Sequence, residues 1–354
     1  MRRMTPMLSV VAVLAAAGFV ISGCGTSSSQ PAEPSQQPTE RAVVLVSGLA
    51  TQTPFTTTTQ GCSQGSSAGD SVSVLRDALI ADGHQVYTAP AQIGPTQVTT
   101  ALDPGGFSQC PAALPAAMTI DTTKPIDAGG RRLLGFLLYL HDTYGLQSVD
   151  LVGHSMGGLF SRSAIKVIQD QSLPIKVRSL TTLGTPWTGT YPADYSNGSL
   201  PLSVCKGDPT CTSVLPGYQR LSQEEGPQGA AADIATNRLQ GPTGWNASQG
   251  SALAGIPVTL IAGNYFTHPG GAPRVWPNDG IVGWRSAIAR RLSNAILPHR
   301  SCLTRPDIHT VALAEAAKQS LSAVITQDPV VLAAVNDAIN QADVALSKPD
   351  RQGC

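Results

Sequence analysis

The chain has 354 residues, 42% of them hydrophobic, and no internal repeat, so it can bury one sizeable core. Lys plus Arg balances Asp plus Glu at 23 each, which leaves no net charge and no basic block and excludes nucleic-acid binding as a main activity. Charged residues are only 13% of the chain, with Gly, Pro, Ser, Thr and Ala in their place, a composition of secreted rather than cytosolic proteins.

The amino terminus agrees with export. Arg2 and Arg3 precede an apolar run from Leu8 to Ile21 that is too short for a comfortable membrane span, and residues 1–23 read as a signal peptide. Ile21-Ser22-Gly23-Cys24 resembles the lipobox of bacterial lipoproteins. That resemblance implies cleavage before Cys24, a diacylglyceryl group on Cys24, and an extracytoplasmic domain lipid-anchored to the bacterial cell membrane or cell surface. Residues 24–41, rich in Ser, Gln, Pro and Glu, hold too little apolar surface to fold and read as a flexible tether. The folded domain is expected over 42–326, with a carboxy-terminal helix and tail over 327–354.

Ala42 to Val46 is an apolar, β-branched run closed by Ser47-Gly48, expected as the first strand of a buried parallel sheet. A long polar connection over 49–69 leads to a helix from Val72 to Ala81 and a short strand from Gln85 to Ala89. Pro90 to Lys124 reads as loop, and Ala128 to Tyr144 as an amphipathic helix with Leu133, Phe136, Leu137 and Leu140 inward. Ser148 to Val152 forms the next strand, and Leu159, Phe160, Ala164, Ile165 and Ile168 then recur at helical spacing. Val177 to Leu183 is a further strand. From residue 187 to about 252 Gly, Pro, Ser and Asn dominate, which predicts a loop-rich cap inserted over the site. Pro257 to Ala262 resumes the core; Ala312 to Ile325 and Pro329 to Leu346 predict the last two helices. Strands alternating with helices in this order give an α/β fold with a mostly parallel sheet flanked by helices.

Between the Ser148–Val152 strand and the helix lies Gly153-His154-Ser155-Met156-Gly157-Gly158, a Gly-x-Ser-x-Gly pattern in the context of a nucleophile elbow. Such a turn pushes Ser155 out above the sheet edge and aims the amino-terminal N–H groups of the helix at any oxyanion formed there. A serine nucleophile needs a base and an acid that orients it. After Ser155 the histidines are His268, His299 and His309. His309 stands directly before an apolar helical run and is the expected base, with His299 as the competing position. Asp279, one strand past Pro257 to Ala262, is the candidate acid, although Asn278-Asp279-Gly280 is also strong turn chemistry. His154 reads as a structural elbow residue pointing away, and His141 as a surface or packing residue.

Four pieces, Val43-Val44-Leu45-Val46-Ser47-Gly48, the elbow, Leu183-Gly184-Thr185-Pro186-Trp187-Thr188-Gly189, and Asn278-Asp279-Gly280-Ile281-Val282-Gly283, together resemble the secreted bacterial triacylglycerol lipases and related esterases of the α/β-hydrolase superfamily. The resemblance implies a reduced α/β-hydrolase sheet lacking the fold's first two strands. It also implies a triad of Ser155, Asp279 and a later histidine, and oxyanion donors at the N–H groups of Leu49 and Met156. Ser47 and Trp187 stand where those lipases carry histidines, and Val311 stands where some carry a calcium-binding aspartate, so no metal is implied.

Of seven cysteines, Cys24 is assigned to the lipid and six remain in an oxidising compartment. Six cysteines allow fifteen pairings, of which Cys205 with its close neighbour Cys211 is the expected one, while Cys62 with Cys110 and Cys302 with Cys354 rest only on neighbourhood in the expected fold and stay open; no spacing suggests zinc. The expected activity is a lipase or carboxylesterase that needs no cofactor, with a lipid or acyl-ester substrate, a membrane partner through the anchor, and no indication of oligomeric state. An acyltransferase or thioesterase with the same triad, and a noncatalytic surface-binding lipoprotein on a hydrolase scaffold, are the alternatives.

Overall fold

The computed structural model describes residues 40–62, 67–94, 110, 113–346 and 354, with the backbone alone for 67–71. Residues 1–23, expected as a signal peptide, Cys24 and nearly all of the expected tether lie outside the described residues. No described helix is long and apolar enough to cross a membrane.

The chain runs β1 (Arg41–Val46), α1 (Ser67–Ala81), β2 (Val86–Thr88), the two-residue strands β3 (Ala91–Gln92) and β4 (Ile120–Asp121), α2 (Ile126–Tyr144), β5 (Ser148–His154), α3 (Gly157–Asp170) and β6 (Lys176–Leu183). An insertion follows with α4 (Tyr191–Ser196), α5 (Pro209–Glu225), α6 (Ala230–Asp233), α7 (Thr236–Leu239) and α8 (Trp245–Ser248). The core resumes with β7 (Val258–Gly263), α9 (Trp284–Ala287), β8 (Arg300–Arg305), α10 (Val311–Ala316), α11 (Pro329–Asn340) and α12 (Ala342–Ala345).

Among the described residues the main sheet has six strands in the order β2-β1-β5-β6-β7-β8, every neighbour parallel. Side chains alternate across it, as the two-residue period of a strand requires. Ala42, Val44 and Val46 of β1 join the apolar faces of α2 and α3, supplied by Leu133, Phe136, Leu137, Phe160 and Ile165. Val43 and Leu45 face Val72, Leu75 and Leu79 of α1 and Val331, Val335 and Ile339 of α11. The carboxy-terminal helix is thus part of the core. At the amino-terminal edge of the sheet the buried carboxylate of Asp150 binds Arg41 (3.0 Å) and Arg178 (2.5 Å), and Arg178 reaches Asp343 of α12 (2.7 Å).

Several elements depart from the sequence expectation, among them the two-residue strands β3 and β4 within the predicted 90–124 loop. The helix predicted from Ala312 to Ile325 stops at Ala316, because Ile308 exchanges backbone hydrogen bonds with Ala323 and Ile325. Val324 and Ile325 are therefore buried by bridge pairing rather than on a helix face. Arg300–Arg305, where the sequence predicts no strand, is the edge strand β8, half-buried along its whole length. The cap is helical rather than loop-rich: α5 is capped by Asp208, whose side chain accepts from the Cys211 N–H, continues through Pro216, and buries Leu215 and Tyr218. The disulfides Cys62–Cys110, Cys205–Cys211 and Cys302–Cys354 are all present.

Candidate active site

All six strands point their carboxyl ends to one edge of the sheet, and the strand order reverses between β1 and β5. A crevice opens at such a switch point, which is where open parallel sheets bind ligands. Ser155 follows β5 there. Its φ of 55° lies in the left-handed region, a conformation that costs a non-glycine residue about 1–3 kcal/mol and persists only when its surroundings hold it. Two hydrogen bonds do so: the Ser155 N–H donates to the Leu183 carbonyl (2.8 Å), and the Thr185 hydroxyl donates to the Ser155 carbonyl (2.7 Å). Side chains at Gly153 and Gly157 would collide with the backbone of Gly158 and the carbonyl of Val46, so the turn closes only with glycine at both.

The loop after β7 brings Asp279 and the loop after β8 brings His309; both are buried. Asp279 Oδ1 accepts from the N–H groups of Ile281 (3.0 Å) and Val282 (2.7 Å), which leaves Oδ2 to accept from His309 Nδ1 at 2.7 Å. A carboxylate only accepts, so Nδ1 carries the proton and Nε2 is left as the proton acceptor. Tyr191 and Thr190 steady the acid loop through the carbonyls of Gly280 (2.6 Å) and Ile281 respectively.

Ser155 and His309 line one cavity of about 290 Å³, walled by Leu49, Leu221, Ile234, Ile281, Val282 and Val311 among others, with no Asp, Glu, Lys or Arg in its lining. Leu221 and Tyr218 come from α5, so the cap forms part of the roof. Among the described residues no acceptor takes up the backbone N–H of Leu49 or Met156. Gly48 passes so close to the elbow that a Cβ on it would lie 2.7 Å from Ser155 Cβ and 2.8 Å from the Met156 nitrogen. Among the described residues no group of three or more His, Cys, Asp and Glu is placed to hold a metal ion.

The structure therefore brings Ser155, Asp279, His309, Leu49 and Met156 together. His299 immediately precedes β8, at the opposite end of that strand from the cavity, and its carbonyl accepts from the Val258 N–H. His141 Nδ1 bonds the Leu146 carbonyl where α2 turns into β5. Ser47 pairs with the Thr53 hydroxyl (2.6 Å), and Trp187 is buried with its Nε1 on Thr182 (3.1 Å) under the Arg162 guanidinium; neither lines the cavity. His154 corrects its expectation. Its ring does not point away but packs on the His309 ring, 4.8 Å between centroids, and lines the cavity. Thr185 and Tyr218 were not singled out by sequence, since neither sits in a local pattern that marks it.

The family described as "Putative serine esterase (DUF676)" matches residues 115–202, which hold α2, the elbow and β6. The chain is similar to a triacylglycerol lipase of Pseudarthrobacter phenanthrenivorans, 27% identical over 171 residues, covering 44% of this chain and 50% of that protein. It is equally similar to one of Burkholderia plantarii, 27% identical over 171 residues, covering 44% and 45%. The chain thus spans about half the length of these relatives. A solved esterase of Pyrococcus furiosus aligns with a TM-score of 0.44 and 12% identity over 86% of this chain and 82% of that one. The strand order and the strand-elbow-helix unit define an α/β-hydrolase fold, whose sheet lacks the first two strands among the described residues. Its sequence similarities are to a serine esterase family and to triacylglycerol lipases.

Proposed function

We propose that the protein is an extracytoplasmic, lipid-anchored serine hydrolase that cleaves carboxylic esters through an acyl-enzyme on Ser155. One observation carries the reading: a strained serine and a histidine hydrogen-bonded to a buried carboxylate share a single apolar cavity.

Ser155 Oγ attacks the ester carbonyl carbon while His309 Nε2 takes the hydroxyl proton. Asp279, bonded at Nδ1, keeps the ring in the tautomer that accepts at Nε2 and stabilises the imidazolium. The N–H groups of Leu49 and Met156 receive the negative charge that develops on the carbonyl oxygen. Collapse of the tetrahedral adduct breaks the bond to the alkoxide, which takes the proton from His309 and leaves as an alcohol. A water molecule, deprotonated by His309 in turn, attacks the acyl-serine, and the acid departs as Ser155 recovers its proton. The uncharged lining suits a lipid or acyl ester with apolar substituents.

A panel of nitrophenyl esters from acetate to palmitate tests the reading. Wild type hydrolyses at least one of them and Ser155→Ala none, with an unchanged circular dichroism spectrum; retention of most activity by Ser155→Ala overturns it. The anchor rests on the sequence before Cys24, and a fatty-acid analogue that labels wild type and the Cys24→Ala protein equally removes that part alone.

A further inference from the structure

We propose that His154 is a positioning residue for the base, its imidazole holding the His309 backbone and ring so that Nε2 of His309 stays turned toward Ser155; this rests on the roles given to Ser155 and His309 above. His154 is the last residue of β5 and is buried, and its Nε2 donates to the His309 carbonyl at 3.1 Å. A carbonyl only accepts, so this nitrogen carries the proton. The two rings lie 4.8 Å apart at a tilt of 38°. Burial, and next the neighbouring His309 ring, push the His154 pKa down to about 3, so the donor stays a neutral imidazole and brings no charge against the base.

His309 is gripped on two sides. Asp279 takes its backbone N–H (2.8 Å) and its Nδ1 (2.7 Å), while His154 takes its carbonyl and one face of its ring. The His154 grip has a geometric consequence that the Asp279 grip lacks. His154 is covalently adjacent to Ser155, so the base is referenced to the same strand end as the nucleophile, across a sequence separation of 155 residues. A displacement of about 1 Å between reacting groups costs as much as 10²-fold in rate.

Two variants separate the donor from the ring: His154→Phe keeps an aromatic ring without an N–H, and His154→Gln keeps an amide donor of similar reach. The expected result is a kcat for His154→Phe lower by about ten- to a hundredfold with KM within about twofold. His154→Gln recovers at least several-fold of that loss. A Phe variant within twofold of wild type in kcat, or a Gln variant no better than Phe, overturns the proposal. The Nδ1 proton of His309, read by NMR without substrate, is the second measurement: sharp in wild type and His154→Gln, broadened in His154→Phe. If no ester is hydrolysed by wild type yet this resonance behaves as described, the hydrolase reading fails and the positioning role stands. An unchanged resonance in His154→Phe ends the positioning role whatever the activity. Should the Phe protein not fold, donorless His154→Met takes its place in both measurements.

Discussion

Ser155 and Asp279 are legible as sequence because each sits in a short pattern whose backbone chemistry is local: glycines that let a strained turn close, and an Asn-Asp-Gly turn whose carboxylate is held by the next two N–H groups but one. His309 is legible from its place before an apolar run, even though that run is mostly not a helix. The contacts of His154 and Thr185 are not legible, because each is made with a residue distant in the chain and no spacing encodes it. Gly48 is the residue on which the second oxyanion donor depends. A Cβ there presses on both Ser155 and the Met156 nitrogen, so Gly48→Ala must displace the loop that carries Leu49. The expected loss in kcat is about 10²- to 10³-fold, as for removal of one oxyanion donor. Steady-state kinetics showing Gly48→Ala within threefold of wild type would exclude the Leu49 N–H from the site.

At the scale of elements, buried strands announce themselves, the edge strand β2 included, and the half-buried edge strand β8 does not. Ala42 to Val46 is apolar throughout because the sheet buries both of its faces, and Val177 to Leu183, also buried along its length, is marked by the β-branched Val177, Thr181 and Thr182. Arg300-Ser301-Cys302-Leu303-Thr304-Arg305 is half-buried throughout, so selection for apolar residues is weak and the run looks like loop. Likewise α5 carries Pro216 and Gly217, which break isolated helices, and its stability comes from packing and from the Cys205–Cys211 link beside its first turn. This helix places Leu221 against the cavity. A bulkier side chain at that point shortens the space for an acyl chain, so Leu221→Trp is expected to lower kcat/KM for nitrophenyl octanoate at least tenfold relative to nitrophenyl acetate. An unchanged octanoate-to-acetate ratio would mean that α5 does not bound the acyl chain.

For the molecule as a whole, the α/β architecture and the parallel sheet follow from alternation of strands with amphipathic helices, and the Cys205–Cys211 disulfide from proximity in sequence, whereas Cys62–Cys110 and Cys302–Cys354 close over separations of 48 and 52 residues that only the fold brings together. The pH dependence of stability was not readable, because it depends on which carboxylates tertiary packing buries. Asp307, on the loop that carries His309, is raised from 3.8 to about 7 by burial and then by the neighbouring Asp328 carboxylate. Between those two values the folded protein holds a proton that the unfolded chain has released, so stability falls as pH rises, and the full cost is present above about pH 7. Asparagine at this position has no charge to bury. Asp307→Asn is therefore expected to raise Tm relative to wild type by an amount that grows from pH 5 to pH 8, in thermal melts followed by circular dichroism; a flat or reversed difference contradicts the assignment. The buried His154 acts with the opposite sign, since the unfolded chain protonates below 6.5 while the folded one resists, and stability is lost on that side as pH falls. The most direct test of the central claim, that Ser155 is a nucleophile activated by His309 and Asp279, is labelling with a fluorophosphonate probe followed by peptide mass mapping. The account predicts one equivalent of label on the peptide carrying Ser155, and slow or absent labelling of His309→Ala and Asp279→Ala proteins that retain their fold. Label on another serine, or undiminished labelling of folded His309→Ala, would contradict it.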